Sequence, residues 1–211
     1  MKDFSVSMAL VDYIPVLLFA VASVMLQRDL YNKMGKGAFA LFSAGSIDII
    51  FAGAAKATYK LLYALGVCDF SALNDIFFPV QSLGFLLAGI GILAVVCHRP
   101  AKKSMLAVAP PLFKGTFIFV ALMVVGLGLM ETVLCILSVK VKKPATIVLF
   151  VLSFVCSLCM GYLSSRDFAE ASMNWIAEGV NVVGQGTLLA GVVLLHKNGL
   201  LNLSLGNGEE V

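Results

Sequence analysis

Charge is what this sequence has least of. Asp, Glu, Lys and Arg supply 13% of its 211 residues, about half the share of a soluble domain. So little charge does not cover the surface of a soluble globule of this size, which excludes a soluble enzyme, a DNA-binding domain and a disordered linker. The net charge of +3 forms no nucleic-acid patch, so no nucleic-acid partner is expected. Histidine is nearly absent as well, with two in the chain. No HExxH, GxSxG or Walker pattern occurs, which removes the usual metal, serine-nucleophile and nucleotide chemistries. The five cysteines are an odd number for a disulfide framework. Cys156 and Cys159 have CxxC spacing, but no His, Asp or second pair lies nearby in sequence to complete a metal or redox site. They read as small apolar residues of the core or lipid face. No cofactor is expected.

What the chain does have is apolar length: 60% hydrophobic residues and a mean hydropathy of +0.99. A bilayer core about 30 Å thick takes roughly 20 helical residues to cross. The expected fold is therefore an all-α integral membrane protein. It forms one transmembrane domain over 1–211, with six spans at 7–27, 37–65, 76–97, 112–139, 144–164 and 168–196. The first apolar run follows only Met1-Lys2-Asp3 and lacks a small-x-small cleavage site, so it reads as a retained span. The end of the chain, 201–211, reads as a frayed tail.

If six spans alternate in direction, Arg28, Lys33, Lys36, Arg99, Lys102, Lys103 and Arg166 share one side of the membrane. Lys2, Lys60, Lys140, Lys142, Lys143 and Lys197 share the other. Seven against six barely sets an orientation by the positive-inside rule, and favours the Arg28 side as cytoplasmic. The even split has a possible cause in the chain itself. The run Asn74-Asp-Ile-Phe-Phe-Pro-Val-Gln81-Ser-Leu-Gly84 matches Asn174-Trp-Ile-Ala-Glu-Gly-Val-Asn181-Val-Val-Gly184 at Asn, Ile, Val and Gly, with an amide at Gln81 and Asn181. After a two-residue insertion, Gly84–Gly89 matches Gly186–Gly191. Chance recurrence of Leu, Ala and Gly in membrane helices is the alternative. Read as a repeat, the chain divides into halves 1–103 and 104–200. Three crossings per half would make them inverted about an axis in the membrane plane. Gly84/Ala88 and Gly186/Ala190 would then let spans three and six pack on each other.

The few ionisable groups within spans are Asp12, Asp48, Lys56, Glu131 and Glu178. Each charge at a helix centre costs about 2.5–3.5 kcal/mol on insertion scales, so such groups must pair, neutralise or face water. Lys60, Lys114 and Glu170 lie nearer helix ends, where they can snorkel. A rise of about 1.5 Å per residue sorts the inner groups by depth. Lys56 falls level with Asp12, Glu131 and Gln81, whereas Asp48 and Glu178 fall at a second level, where two carboxylates can share a proton. Span six carries a narrow polar stripe of Glu170, Asn174, Glu178, Asn181 and Gln185 at helical spacing, and span three carries its counterpart in Asn74 and Gln81. Interhelical hydrogen bonding is the bland account of such a stripe, at about 0.6 kcal/mol per bond. A solute or water path is the functional one, because amides both donate and accept. Asp12 lies a turn from Pro15 and Asn74 a turn from Pro79, and a proline frees a carbonyl one turn back. Trp175, Tyr59, Tyr63 and Tyr162 read as interface anchors, and His98 and His196 as headgroup-level residues near helix ends.

The expected function is transport or conduction of a small solute along a path between spans two, three, four and six. Asn74, Gln81, Asn174, Glu178, Asn181 and Gln185 would line it, and Asp12, Lys56, Glu131 and Asp48 would form a charge cluster. In this reading Lys56 holds a charged group of the solute and Glu178 carries a proton. The alternatives are a membrane receptor or accessory subunit that binds a lipid or metabolite, and an intramembrane enzyme acting on lipid. The expected partners are the bilayer, a small solute, and either a second copy or a partner membrane subunit.

Overall fold

The computed structural model describes residues 5–97, 116–164 and 171–203. The sequence readings at Lys2, His98, Arg99, Lys102, Lys103, Lys114, Arg166 and Glu170 lie outside these residues. Eight helices are described: α1 (Val6–Val11), α2 (Tyr13–Leu30), α3 (Lys36–Ala64), α4 (Ala72–Asp75), α5 (Phe77–Leu93), α6 (Thr116–Lys140), α7 (Ile147–Ser164) and α8 (Ala171–Lys197). They form six segments long and apolar enough to cross a membrane, at the positions the hydropathy pattern predicts to within a few residues.

Proline chemistry explains two breaks. Asp12 separates α1 from α2, and Ile76 separates α4 from α5. Pro15 and Pro79 each fall third in the helix after the break. In a first turn the missing N–H has no helical partner to lose. At the N-terminus Ser5 caps α1, its side chain accepting from the Met8 N–H at 3.2 Å.

Side-chain contacts fix the helix directions. Lys60, near the end of α3, bridges Asp12 at the start of α2 and Glu178 near the start of α8. Asp29, near the end of α2, pairs with His196 at the end of α8. Contact at both ends makes α2 and α8 parallel. The neighbouring pairs are antiparallel. Gly45 of α3 lies against Gly84 and Ala88 of α5, while Gly91 lies against Ala38 and Phe42. Gly184 of α8 lies against Cys156 of α7, and Gly191 against the Phe150 ring. Tyr13 of α2 meets Thr58 of α3. A tight turn over 141–146 reverses the chain from α6 into α7. It follows that α2, α5, α6 and α8 all run one way, and α3 and α7 the other. The six long helices close a ring in the order α2, α3, α5, α6, α7, α8 and back to α2.

This geometry corrects the expected inversion. Inverted halves require α5 and α8 to oppose each other, and they run the same way. In order along the chain and in direction, α2, α3 and α5 match α6, α7 and α8, and the connection between α5 and α6 lies outside the described residues. Gly84 and Ala88 meet α3 rather than α8, and Gly186 faces open space. The glycines that correspond are Gly84 with Gly184 and Gly91 with Gly191, each pair packing on the helix before it.

The two-sided charge split falls with the alternation it assumed. Arg28, Lys33 and Lys36 lie at the same end of the ring as Lys140, Lys142, Lys143 and Lys197. We call this the Asp29 end and its opposite the Asp12 end. The Asp29 half is filled with apolar side chains. Leu30, Ile92, Leu134, Leu137, Leu195 and Leu200 are each 0% exposed. Residues read as tail are tied down there, since Lys33 Nζ donates to the Leu201 and Leu203 carbonyls at 2.9 and 2.6 Å. Large apolar residues such as Leu17, Val24, Ile47 and Val148 point outward, as helices solvated by lipid require.

Candidate functional site

The polar centre lies in the Asp12 half. Lys60 is buried, its ammonium 2.5 Å from Asp12 Oδ2 and 2.9 Å from Glu178 Oε1. Asp12 sits in the break between α1 and α2, and Glu178 lies two turns into α8. Both carboxylates are nearly as buried as the lysine. A second bond pins the same corner. Thr58 Oγ1 donates to the Ala54 carbonyl at 2.7 Å, so the Tyr13 hydroxyl, 2.7 Å away, donates to Thr58. Three helices are thus joined around one ammonium, far enough from water for each charge to depend on the others.

Beside this triad is a partly enclosed cavity of about 120 Å³. All six ring helices line it. Asp12, Lys56, Gln81, Glu178, Asn181 and Gln185 give it polar walls, and Phe19, Phe77, Phe78 and Phe85 give it aromatic ones. Lys56 sits one turn before Lys60 on α3. Among the described residues it makes no ion pair, and its ammonium rests 4.1 Å from the centroid of the Phe77 ring. A cation over an aromatic face is held by the ring quadrupole, at about 0.5–2 kcal/mol according to its hydration. Two acceptors on the walls, Glu178 Oε2 and Gln185 Oε1, are buried and without a hydrogen-bond partner among the described residues.

Six of the ten residues singled out in the sequence therefore meet at this cavity. The other four do not line it. Asn74 is half-buried on α4, and Asn174 is buried on α8. Asp48 lies on the α3–α5 seam with its Cβ against Gly84. Glu131 is 4% exposed on α6, and both its carboxylate oxygens lack a hydrogen-bond partner among the described residues.

The depth sorting needs correction in two places. Glu178 joins Asp12 rather than Asp48, and the lysine between them is Lys60 rather than Lys56. Position near a helix end had marked Lys60 as a snorkelling residue. The usable signal was its spacing from Lys56, since residues four apart share a helix face. Tyr59, read as an interface anchor, is 3% exposed inside the bundle. His196, read as a headgroup-level residue, is engaged by Asp29 at 2.9 Å. Asp29 drew no attention in the sequence, because only the parallel course of α2 and α8 gives it a partner.

The fold and site define a multi-pass helical membrane protein whose six spans ring a cavity with a charged wall. Comparison with protein-family models, curated proteins and solved structures finds no match for this chain.

Proposed function

We propose that this protein transports a small solute by alternating access between its two three-helix halves. The observation that carries the reading is the placement of the cavity. It lies in the Asp12 half of the ring, lined by α2, α3 and α5 on one side and α6, α7 and α8 on the other. The Asp29 half is closed by a continuous apolar core. Halves repeated in parallel around an axis along the membrane normal, with a binding site at their junction, are a recurring transporter plan. In this reading a solute enters from the Asp12 end, and release follows when the halves part at the Asp29 end. The described lysines and arginines outside the cavity region cluster at the Asp29 end, so the positive-inside rule makes that end cytoplasmic. A receptor or accessory subunit is the second reading, favoured by the confinement of the cavity to one half.

Two experiments test the proposal. For orientation, Cys68 is exposed after α3 at the Asp12 end, and Cys97 is exposed after α5 at the Asp29 end. In intact cells a membrane-impermeant maleimide is expected to label a variant retaining only Cys68 and to spare one retaining only Cys97. The reverse pattern overturns the orientation. For transport, flux into proteoliposomes is expected to fall in Lys56→Met and Glu178→Gln. Solute binding without flux, together with stoichiometric co-purification of a partner subunit, would replace transport by the second reading.

A further inference from the structure

The cavity walls specify a ligand more closely than a small solute, an inference that rests on the proposed site. Asp12 and the Oε1 of Glu178 are committed to Lys60. Three groups remain for a ligand. Lys56 offers a cation that rests on the Phe77 ring and makes no ion pair among the described residues, and Glu178 Oε2 and Gln185 Oε1 offer acceptors that lack donors among them. Unmet acceptors buried this deeply are costly unless something donates to them. Lys56, Glu178 and Gln185 line the same cavity of about 120 Å³, so one small molecule can lie against all three side chains.

Charge narrows the choice. At full ionisation Asp12, Glu178, Lys60 and Lys56 sum to zero. A ligand carrying net charge would place an uncompensated charge inside a membrane protein. A ligand carrying both signs would not. The volume narrows it again. An apolar cavity of about 150 Å³ accommodates benzene, so this one suits a molecule of about six heavy atoms.

We propose that the cavity binds a small zwitterion bearing a carboxylate and a primary ammonium, the chemistry of an α-amino acid with a short side chain. The carboxylate lies toward Lys56, the ammonium donates to Glu178 Oε2 and Gln185 Oε1, and the aliphatic part rests against Phe19 and Phe85.

The test is equilibrium binding to the purified full-length protein in detergent, with radiolabelled L-alanine competed by matched probes. Propionate lacks the ammonium, ethylamine lacks the carboxylate, and N,N,N-trimethylglycine has both charges but no N–H donor. Saturable alanine binding is expected, with each probe weaker by about ten- to a hundredfold, the worth of a charge-assisted hydrogen bond. Lys56→Met is expected to weaken alanine by a similar factor and to strengthen ethylamine, because the site then carries a net negative charge. Gln185→Leu is expected to weaken alanine severalfold while the fold survives, as judged by an unaltered elution volume. Propionate binding as well as alanine overturns the ammonium contact, and trimethylglycine binding as well overturns the donor requirement. Absence of alanine, glycine and serine binding overturns the ligand class. Because binding is read without flux, amino-acid binding with no transport refutes the transporter reading and leaves the ligand assignment standing. Transport of an unrelated solute does the opposite.

Discussion

Replacing Lys60 by methionine tests whether the triad is a buried ion cluster. Methionine keeps most of the length and apolar stem of lysine, so the main change is loss of the ammonium. Asp12 and Glu178, 7% and 5% exposed, then lose the ammonium that pairs them, and Lys56 makes no ion pair with either. Removing one partner of a buried pair costs about 3–5 kcal/mol, because the remaining charge is neither hydrated nor paired. An exposed pair costs about 0–1 kcal/mol. Lys60 serves two carboxylates, so we expect about 4–5 kcal/mol, the upper part of the buried range. The assay is equilibrium unfolding of the purified protein by SDS in mixed micelles, comparing wild type, Lys60→Met and the triple variant Asp12→Asn, Lys60→Met, Glu178→Gln. The triple variant removes the three charges of the triad together and is expected to recover most of the loss, since deleting all three partners leaves far less unsatisfied than deleting one. A loss below about 1 kcal/mol in the single variant, with no recovery in the triple, would refute the reasoning.

Three further outcomes follow from the packing. Gly126→Ala places a methyl group into the Phe85–Leu86 backbone, whereas Gly186→Ala enters open space. The first is expected to lower stability by about 1–3 kcal/mol and the second to leave it unchanged, measured in the same unfolding assay. Glu131→Met replaces a buried carboxyl, whose neighbouring donor is the Ser153 hydroxyl, by an apolar side chain of similar length, and neutral or raised stability is expected. A large loss would mean that the Glu131 carboxyl is held by Ser153 or another donor. Asp29→Ala removes the group that holds His196, and is expected to cost about 1–3 kcal/mol and to increase maleimide labelling of a cysteine placed at Leu195. Unchanged labelling would show that the Asp29–His196 contact does not hold that end closed.

The spans were legible because each needs only length and apolar composition, which a linear reading counts directly. Six cavity residues were legible for a related reason. Polar side chains in apolar helices are few, and the spacing of Glu178, Asn181 and Gln185 places them on one face. Helix direction was less accessible. It depends on how the chain passes from α5 to α6, and alternation is an assumption about that connection rather than a property of any residue. Pairing depended on it in turn. Counting depth along straight helices put Lys56 level with Asp12. The break at Asp12 and the packing of α3 against α2 bring Lys60 there instead. Gly84 and Gly184, from the matched runs, each pack on the helix before them, but a match in sequence carries no sign of direction.

The two seams between the halves differ in kind. Along α5 and α6, Gly89 and Gly126 bring main chain against main chain, a contact with no side chain able to swing aside. Along α2 and α8, contact is made by separable polar groups, Lys60 with Asp12 and Glu178 at one end and Asp29 with His196 at the other. In the proposed transport cycle the glycine seam would serve as a spine and the α2–α8 margin as the edge that parts, which would give the cavity an exit toward the surrounding lipid as well as toward water.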